Sequence, residues 1–167
     1  MSIKVAVYAG TFDPIHNGHL DIIERCLPLF DQVWVAVLKN EAKSPWFTVD
    51  ERVEIIRELV DGREGLKVMS FSGLLVDFME KVGAQTVLRG LRAVSDFEYE
   101  FQMALMNRHL NPRVETVFMM PSQEYSYLSS RLVKEVFSLG GNLAGLVPDR
   151  VAARLAERLK ERQGASA

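Results

Sequence analysis

Ile3-Lys-Val-Ala-Val-Tyr-Ala-Gly10 runs directly into Thr11-Phe-Asp-Pro-Ile-His-Asn-Gly-His19. The first half is a short β-rich apolar run ended by glycine. The second half is a loop that leads into a helical pattern. Gly10 permits a close backbone approach, and Pro14 stiffens the turn. Gly18 leaves room beside the first helical turn. A helix that starts here presents unpaired N–H groups and a partial positive charge, which suits phosphate. His16 and His19 are three apart, so both imidazoles face one way if the helix starts near Asn17. On its own, a His-x-x-His pair is more often structural than functional. Two histidines without a third ligand are also weak evidence for metal.

Strand and helix patterns alternate onward from that loop. His19 to Phe30 has helical spacing, with Leu20, Ile23, Leu27 and Phe30 on one face. Gln32 to Leu38 reads as a second strand. Thr48-Val-Asp-Glu51 is a capping box that opens a helix to about Val60. Leu66 to Phe71 is a third strand, Leu74 to Val82 a short helix, and Gln85 to Arg89 a fourth strand. Ser95-Asp-Phe-Glu98 repeats the capping pattern and starts a helix towards Leu110. Val114 to Met119 is a fifth strand, and Leu128 to Leu139 and Pro148 to about Arg162 are the last helices.

This alternation predicts an α/β fold: one Rossmann-like domain over residues 1–163, with a five-stranded parallel sheet covered by helices on both faces. The strands are nearly continuous apolar runs, as a sheet buried on both sides requires. Residues 164–167 read as a frayed tail. Ligands of such sheets bind beyond the carboxyl ends of the strands, so the loops after strands one, two, four and five should carry the chemistry.

Composition narrows the function class. The chain has 167 residues, 48% of them hydrophobic, with 20 basic against 22 acidic side chains. That balance argues against a nucleic-acid binder. A lone cysteine, Cys26, excludes an intramolecular disulfide and fits a reducing compartment. The first strand begins right after Met1-Ser2, without the pattern of a signal peptide, and no apolar run approaches the ~20 residues of a membrane span. A cytoplasmic protein without membrane or nucleic-acid partners is expected.

The remaining rim loops are polar. Lys39 and Lys43 follow strand two. Arg89-Gly-Leu-Arg92 follows strand four, and arginine's planar fork can hold two phosphate oxygens at once. Ser129 and Ser130 stand at a helix start after strand five, where they can cap the helix or bind phosphate.

G-T-F-D-P-x-x-x-G-H between a strand and a helix resembles the signature of the HxGH nucleotidyltransferase superfamily. The resemblance tightens with R-G-L-R-A-V-x-D-F-E-Y-E at Arg89 to Glu100, with M-N-R-H-L, with Tyr125-Ser-Tyr-Leu-Ser-Ser130 and with Val133-Lys-Glu135. Together these segments resemble the bacterial phosphopantetheine adenylyltransferases from strand one to about Pro148. That resemblance implies transfer of the adenylyl group of ATP to 4′-phosphopantetheine, giving dephospho-coenzyme A and pyrophosphate. It implies that His19 binds the triphosphate and stabilises the transition state. Thr11, Lys43, Leu75 and Arg89 would bind 4′-phosphopantetheine. Thr11, Phe12, His19, Gly90, Leu91, Arg92, Glu100, Tyr125, Ser126, Tyr127, Leu128, Ser129, Ser130 and Arg131 would bind ATP. It further implies Mg²⁺ carried by the ATP phosphates, with no protein metal site. A homohexamer, feedback by coenzyme A and a flavodoxin-like strand order complete the expectation.

Four positions depart from the usual pattern: Ala9 replaces a proline, Tyr125 and Tyr127 replace Trp and Phe, and Arg131 replaces Ser or Thr. The resemblance would make His16 a secondary phosphate contact, and Lys134 holds the place of a basic residue that would meet the triphosphate. Two rival readings are another HxGH adenylyl- or cytidylyltransferase and a non-catalytic nucleotide sensor. The apolar side of the helix towards Leu110, with Phe101, Met103, Leu105 and Met106, is wider than one packing stripe and could face a neighbouring subunit.

Overall fold

The computed structural model describes residues 3–39, 45–92 and 94–164. Five strands, β1 (Val5–Gly10), β2 (Gln32–Leu38), β3 (Leu66–Phe71), β4 (Thr86–Gly90) and β5 (Glu115–Met119), alternate with six helices. These are α1 (Asn17–Cys26), α2 (Val49–Val60), α3 (Leu75–Val82), α4 (Val94–Leu110), α5 (Ser130–Ser138) and α6 (Asp149–Gly164). α6 thus reaches Gly164, where a frayed tail was expected to start, and 165–167 lie outside the described residues.

All strand pairs are parallel, in the order β3-β2-β1-β4-β5. This is the Rossmann order and corrects the flavodoxin-like one. After β3 the chain crosses back over β2 and β1 to lay down β4, so the direction of winding reverses between β1 and β4. Loops leaving those two strands diverge there and open a crevice.

Strand side chains alternate between two cores. Ala6 and Tyr8 face one side with Val33, Val35, Val37 and Leu88, against Ile22 and Ile23 of α1, Val53 and Ile56 of α2 and Leu155 of α6. Val7 and Ala9 face the other with Ala36 and Val87, against Val76, Phe78 and Met79 of α3. Each fully buried Val, Leu or Ile contributes about 1.5–3 kcal/mol, so both faces are strongly held. The second face is less well covered at the β5 edge. There α4 leaves Phe97, Phe101, Leu105 and Met106 exposed.

Two local details follow from chemistry. The capping box at Thr48 forms in full: Thr48 Oγ1 accepts from the Glu51 N–H, and the Glu51 carboxylate accepts from the Thr48 N–H at 2.7 Å. α1 stops at Cys26, short of Phe30, because Pro28 lacks the N–H an α-helix needs. Leu27–Leu29 form a 3₁₀ turn instead. The expected capping pattern at Ser95 involves side chains outside the described residues.

Candidate active site

The site is built on the turn that leaves β1. Phe12 takes a left-handed backbone conformation, with φ of 50°. That strain is held by packing: the Phe12 ring is buried and meets Tyr8 edge-on at 5.4 Å and His19 at 5.0 Å. The Asp13–Pro14 peptide is cis. Asp13, itself buried, accepts from the N–H groups of Trp46 and Phe47 at 3.0 and 2.9 Å and from Lys134 Nζ at 2.6 Å.

The chain then enters α1 through His16, the extended residue at its N-terminus. The backbone N–H of His16 donates to His19 Nδ1 at 3.2 Å. An Nδ1 that accepts is unprotonated, so the Nε2 of a neutral His19 carries the hydrogen. The two imidazoles stack, with centroids 3.6 Å apart and planes 24° from parallel. His16 is buried, and neither of its ring nitrogens has a partner among the described residues. Burial, helped by the charge of Arg92, pushes His16 down to about 3. Burial also holds His19 well below the usual histidine range, with His16, Arg92 and Arg89 adding to it. Both rings are therefore uncharged near neutral pH. Gly18 makes this pairing possible: a Cβ there would lie 3.1 Å from His16 Cε1 and 3.2 Å from Tyr125 Cβ.

Across the crevice, the β4 end supplies two arginines. Arg89 forks onto Glu100, with Nε to Oε2 at 2.7 Å and Nη2 to Oε1 at 2.5 Å, and its Nη1 donates to the Ala9 carbonyl at 2.6 Å. Arg92 Nη1 donates to the Leu128 carbonyl at 2.7 Å. The segment after β5 is pinned to α1. Asp21 accepts from the Ser122 N–H and hydroxyl at 2.8 and 2.6 Å, and Arg25 reaches the Met120 carbonyl at 2.7 Å. Ser129 caps α5 through the Leu132 N–H at 3.1 Å, and the Ser130 hydroxyl donates to the Pro14 carbonyl at 2.8 Å.

These groups surround a two-lobed cleft. The first lobe, about 460 Å³, is lined by Thr11, Phe12, His16, His19, Gly90, Arg92, Tyr125, Ser129 and Ser130. The second, about 380 Å³, is more apolar and is lined by Leu38, Phe71, Leu75, Met103, Met106 and Leu110. Ala9, Gly10, Thr11, Arg89, Tyr99 and Glu100 border both lobes. Leu75 and Arg89, expected on the acceptor side, thus meet at the second lobe.

Five expected residues line neither lobe: Leu91, Ser126, Tyr127, Leu128 and Arg131. Leu128 is fully buried, whereas Tyr127 is 61% exposed. Lys43 lies outside the described residues. Lys134 pairs with Asp13 behind the β1 turn. The sequence reading left out Tyr8, Tyr99, Asp13 and Arg52, and read Met103 and Met106 only as part of a subunit-facing surface. In fact Tyr99, Met103, Met106 and Leu110 recur at helical spacing and form one wall of the second lobe.

Comparisons with known proteins place the chain in a family. The cytidylyltransferase-like family model matches residues 7–136. A phosphopantetheine adenylyltransferase of Heliobacterium modesticaldum is 58% identical over 156 residues, 93% of each chain. One from Caldanaerobacter subterraneus subsp. tengcongensis is 53% identical, covering 95% of this chain and 99% of the relative. The crystal structure of a putative nicotinate-nucleotide adenylyltransferase from Vibrio parahaemolyticus superposes with a TM-score of 0.68, over 93% of this chain and 99% of that one. At 17% identity it speaks for the fold alone. With an HxGH turn at the β1–β4 crevice and relatives of this similarity along nearly its whole length, the chain belongs to the phosphopantetheine adenylyltransferase family, within the cytidylyltransferase-like nucleotidyltransferases.

Proposed function

We infer that this chain transfers the adenylyl group of ATP to 4′-phosphopantetheine, releasing pyrophosphate and giving dephospho-coenzyme A, a step of coenzyme A biosynthesis. The observation that carries this reading is the junction of the two lobes. Arg89 and Thr11 stand where the more polar lobe, at the N-terminus of α1, meets the more apolar one. ATP fits the lobe at the N-terminus of α1. A phosphorylated acceptor with a long, weakly polar arm fits the other, with its phosphate at the junction.

The acceptor phosphate is already an anion, so no strong general base is needed. One of its oxygens bonds to the α-phosphorus of ATP while the bond from that phosphorus to the pyrophosphate oxygen breaks. Catalysis then rests on alignment and on charge stabilisation. A neutral His19 with its hydrogen on Nε2 can donate to the α-phosphoryl oxygens throughout. The N-terminal end of the α1 dipole adds a fixed positive potential. Arg92 adds a cation, and Arg89 adds a guanidinium whose charge is shared with Glu100.

Mg²⁺ would neutralise triphosphate charge. Among the described residues no group of three or more His, Cys, Asp or Glu gathers as a ligand set. The carboxylates of Asp13 and Glu100 are engaged by Lys134 and Arg89. We propose phosphate oxygens and water as the donors to Mg²⁺. We further propose coenzyme A as a feedback ligand of the same cleft, because it contains the acceptor's arm, and a homohexamer as the assembly. No helix among the described residues is long and apolar enough to cross a membrane, which is consistent with a cytoplasmic site of action.

Pyrophosphate release with ATP and a panel of phosphorylated acceptors tests the reaction. Release with phosphopantetheine and not with nicotinate mononucleotide is expected. Release only with another acceptor would favour a different adenylyltransferase, and release with none would favour a nucleotide sensor.

A further inference from the structure

The fully buried guanidinium of Arg52 touches neither lobe of the cleft, yet it holds the partition between them. Arg52 lies in the first turn of α2 and is 2% exposed. Its Nε donates to the carbonyls of Phe47 and Thr48 at 3.1 and 3.2 Å. Its Nη1 donates to the carbonyls of Thr11 at 2.7 Å and Leu38 at 3.3 Å. Thr11 borders both lobes and Leu38 lines the second. One rigid fork therefore ties the carboxyl end of β1 to that of β2.

Asp13 grips the same stretch from the other side. It accepts from the N–H groups of Trp46 and Phe47, while Arg52 takes the carbonyls of Phe47 and Thr48. Lys134 extends the block into α5. An apolar side chain would fill the Arg52 position at a lower desolvation cost, because buried charges are expensive even when paired. What the guanidinium adds is directional: only a planar donor set can hold four carbonyls from three segments at once.

We propose that Arg52 is a positioning residue of the reaction, acting through the carbonyls of Thr11 and Leu38, with Asp13 as its counterpart. The proposal rests on the adenylyl transfer inferred above. Loss of the fork frees the Thr11 turn to shift, and small misplacements of reacting groups are costly in rate.

The test compares Arg52→Lys, Arg52→Gln and Asp13→Asn with a control, Val151→Ala, which opens the core beneath α6 away from the cleft. Melting temperature, kcat per folded molecule and KM for ATP and phosphopantetheine are measured on each full-length variant. The expected result is a fall in kcat of about tenfold or more for Arg52→Lys and a larger one for Arg52→Gln, with KM for ATP within about threefold of wild type. The control should keep its kcat at an equal or greater loss of melting temperature. The Arg52→Gln, Asp13→Asn double variant should lose no more than about the larger single effect, since both residues hold one block. If Arg52→Gln does not fold, Arg52→Lys decides. A kcat within about twofold of wild type in the folded Arg52 variants, or one that merely tracks the control, overturns the assignment. A wild type that releases no pyrophosphate with phosphopantetheine overturns the reaction, and the assignment with it.

Discussion

His19 Nδ1 accepts the backbone N–H of His16 at 3.2 Å, in the turn that opens α1. A backbone donor cannot titrate or rotate away, so it fixes the tautomer of the neutral His19 ring. The Nε2–H is left for the cleft. His19→Ala should therefore lower kcat by orders of magnitude and leave the melting temperature close to that of wild type. Steady-state kinetics and thermal melting check both halves. A near-normal rate would remove His19 from the mechanism.

The stacked pair also sets an acid limit. Burial, first of all, keeps His16 at about 3 and His19 well below its ordinary value of 6.5. The unfolded chain takes up protons on both near 6.5, while the folded chain does not. Below that pH the unfolded state binds more protons on each histidine, so stability falls as pH falls. Above 6.5 the pair contributes no slope. Urea midpoints should drop between pH 7 and pH 5, and His16→Leu should flatten the drop by removing one of the two protons. A wild-type midpoint that stays level over that range would contradict a neutral pair.

Gly10 is a second sensitive point. A Cβ there would lie 3.0 Å from Phe12 Cζ, and that ring is already wedged between Tyr8 and His19. Gly10→Ala should push the ring against His19. The expected cost is about 1–3 kcal/mol of stability, as for other overpacked cores, together with a loss of kcat. Denaturant unfolding and kinetics measure the two, and a variant unchanged in both would show that the ring yields freely.

The sheet was legible because its strands are apolar runs with clean boundaries; Gln32 to Leu38 and Leu66 to Phe71 lie where the pattern put them. The strand order was not legible, because periodicity within a strand says nothing about its neighbours. His16, His19 and Arg89, which line the cleft, were singled out by motif spacing and strand ends, whereas Glu100 was assigned to ATP by resemblance alone and is engaged by Arg89. Arg52 was missed because Glu-Arg-Val-Glu reads as a polar helix face. Its signal lay in position: it falls three and four residues before Ile55 and Ile56, on the buried stripe of α2. Asp13 was visible in the motif without a role, since its partners Trp46, Phe47 and Lys134 are distant in sequence.

Arg89 separates charge from geometry. Its guanidinium binds Glu100 through two nitrogens and the Ala9 carbonyl through a third. A lysine keeps the charge but cannot bridge all three acceptors. Arg89→Lys should raise KM for phosphopantetheine about tenfold or more, worth about 1.4 kcal/mol, with a smaller effect on KM for ATP. Equal changes in the two KM values would place Arg89 on both substrates alike.

The exposed side of α4 makes the last prediction. Phe97 and Phe101 stack with centroids 5.7 Å apart, and Phe97 also meets Phe118 of β5 at 6.3 Å. Phe101 and Leu105 are 47% and 49% exposed, an apolar stripe left half open among the described residues. The next stripe of the same helix, Tyr99, Met103 and Met106, walls the second lobe. A subunit that packs on the first stripe would therefore also steady the second. Phe101→Glu with Leu105→Glu places two charges on that face, and burying an unpaired charge costs several kcal/mol. Sedimentation velocity should show the wild type as a hexamer and the double variant as smaller species. The dissociated variant should also show a raised KM for phosphopantetheine. An intact hexamer in the variant would move the interface elsewhere, and a monomeric wild type would remove the assembly.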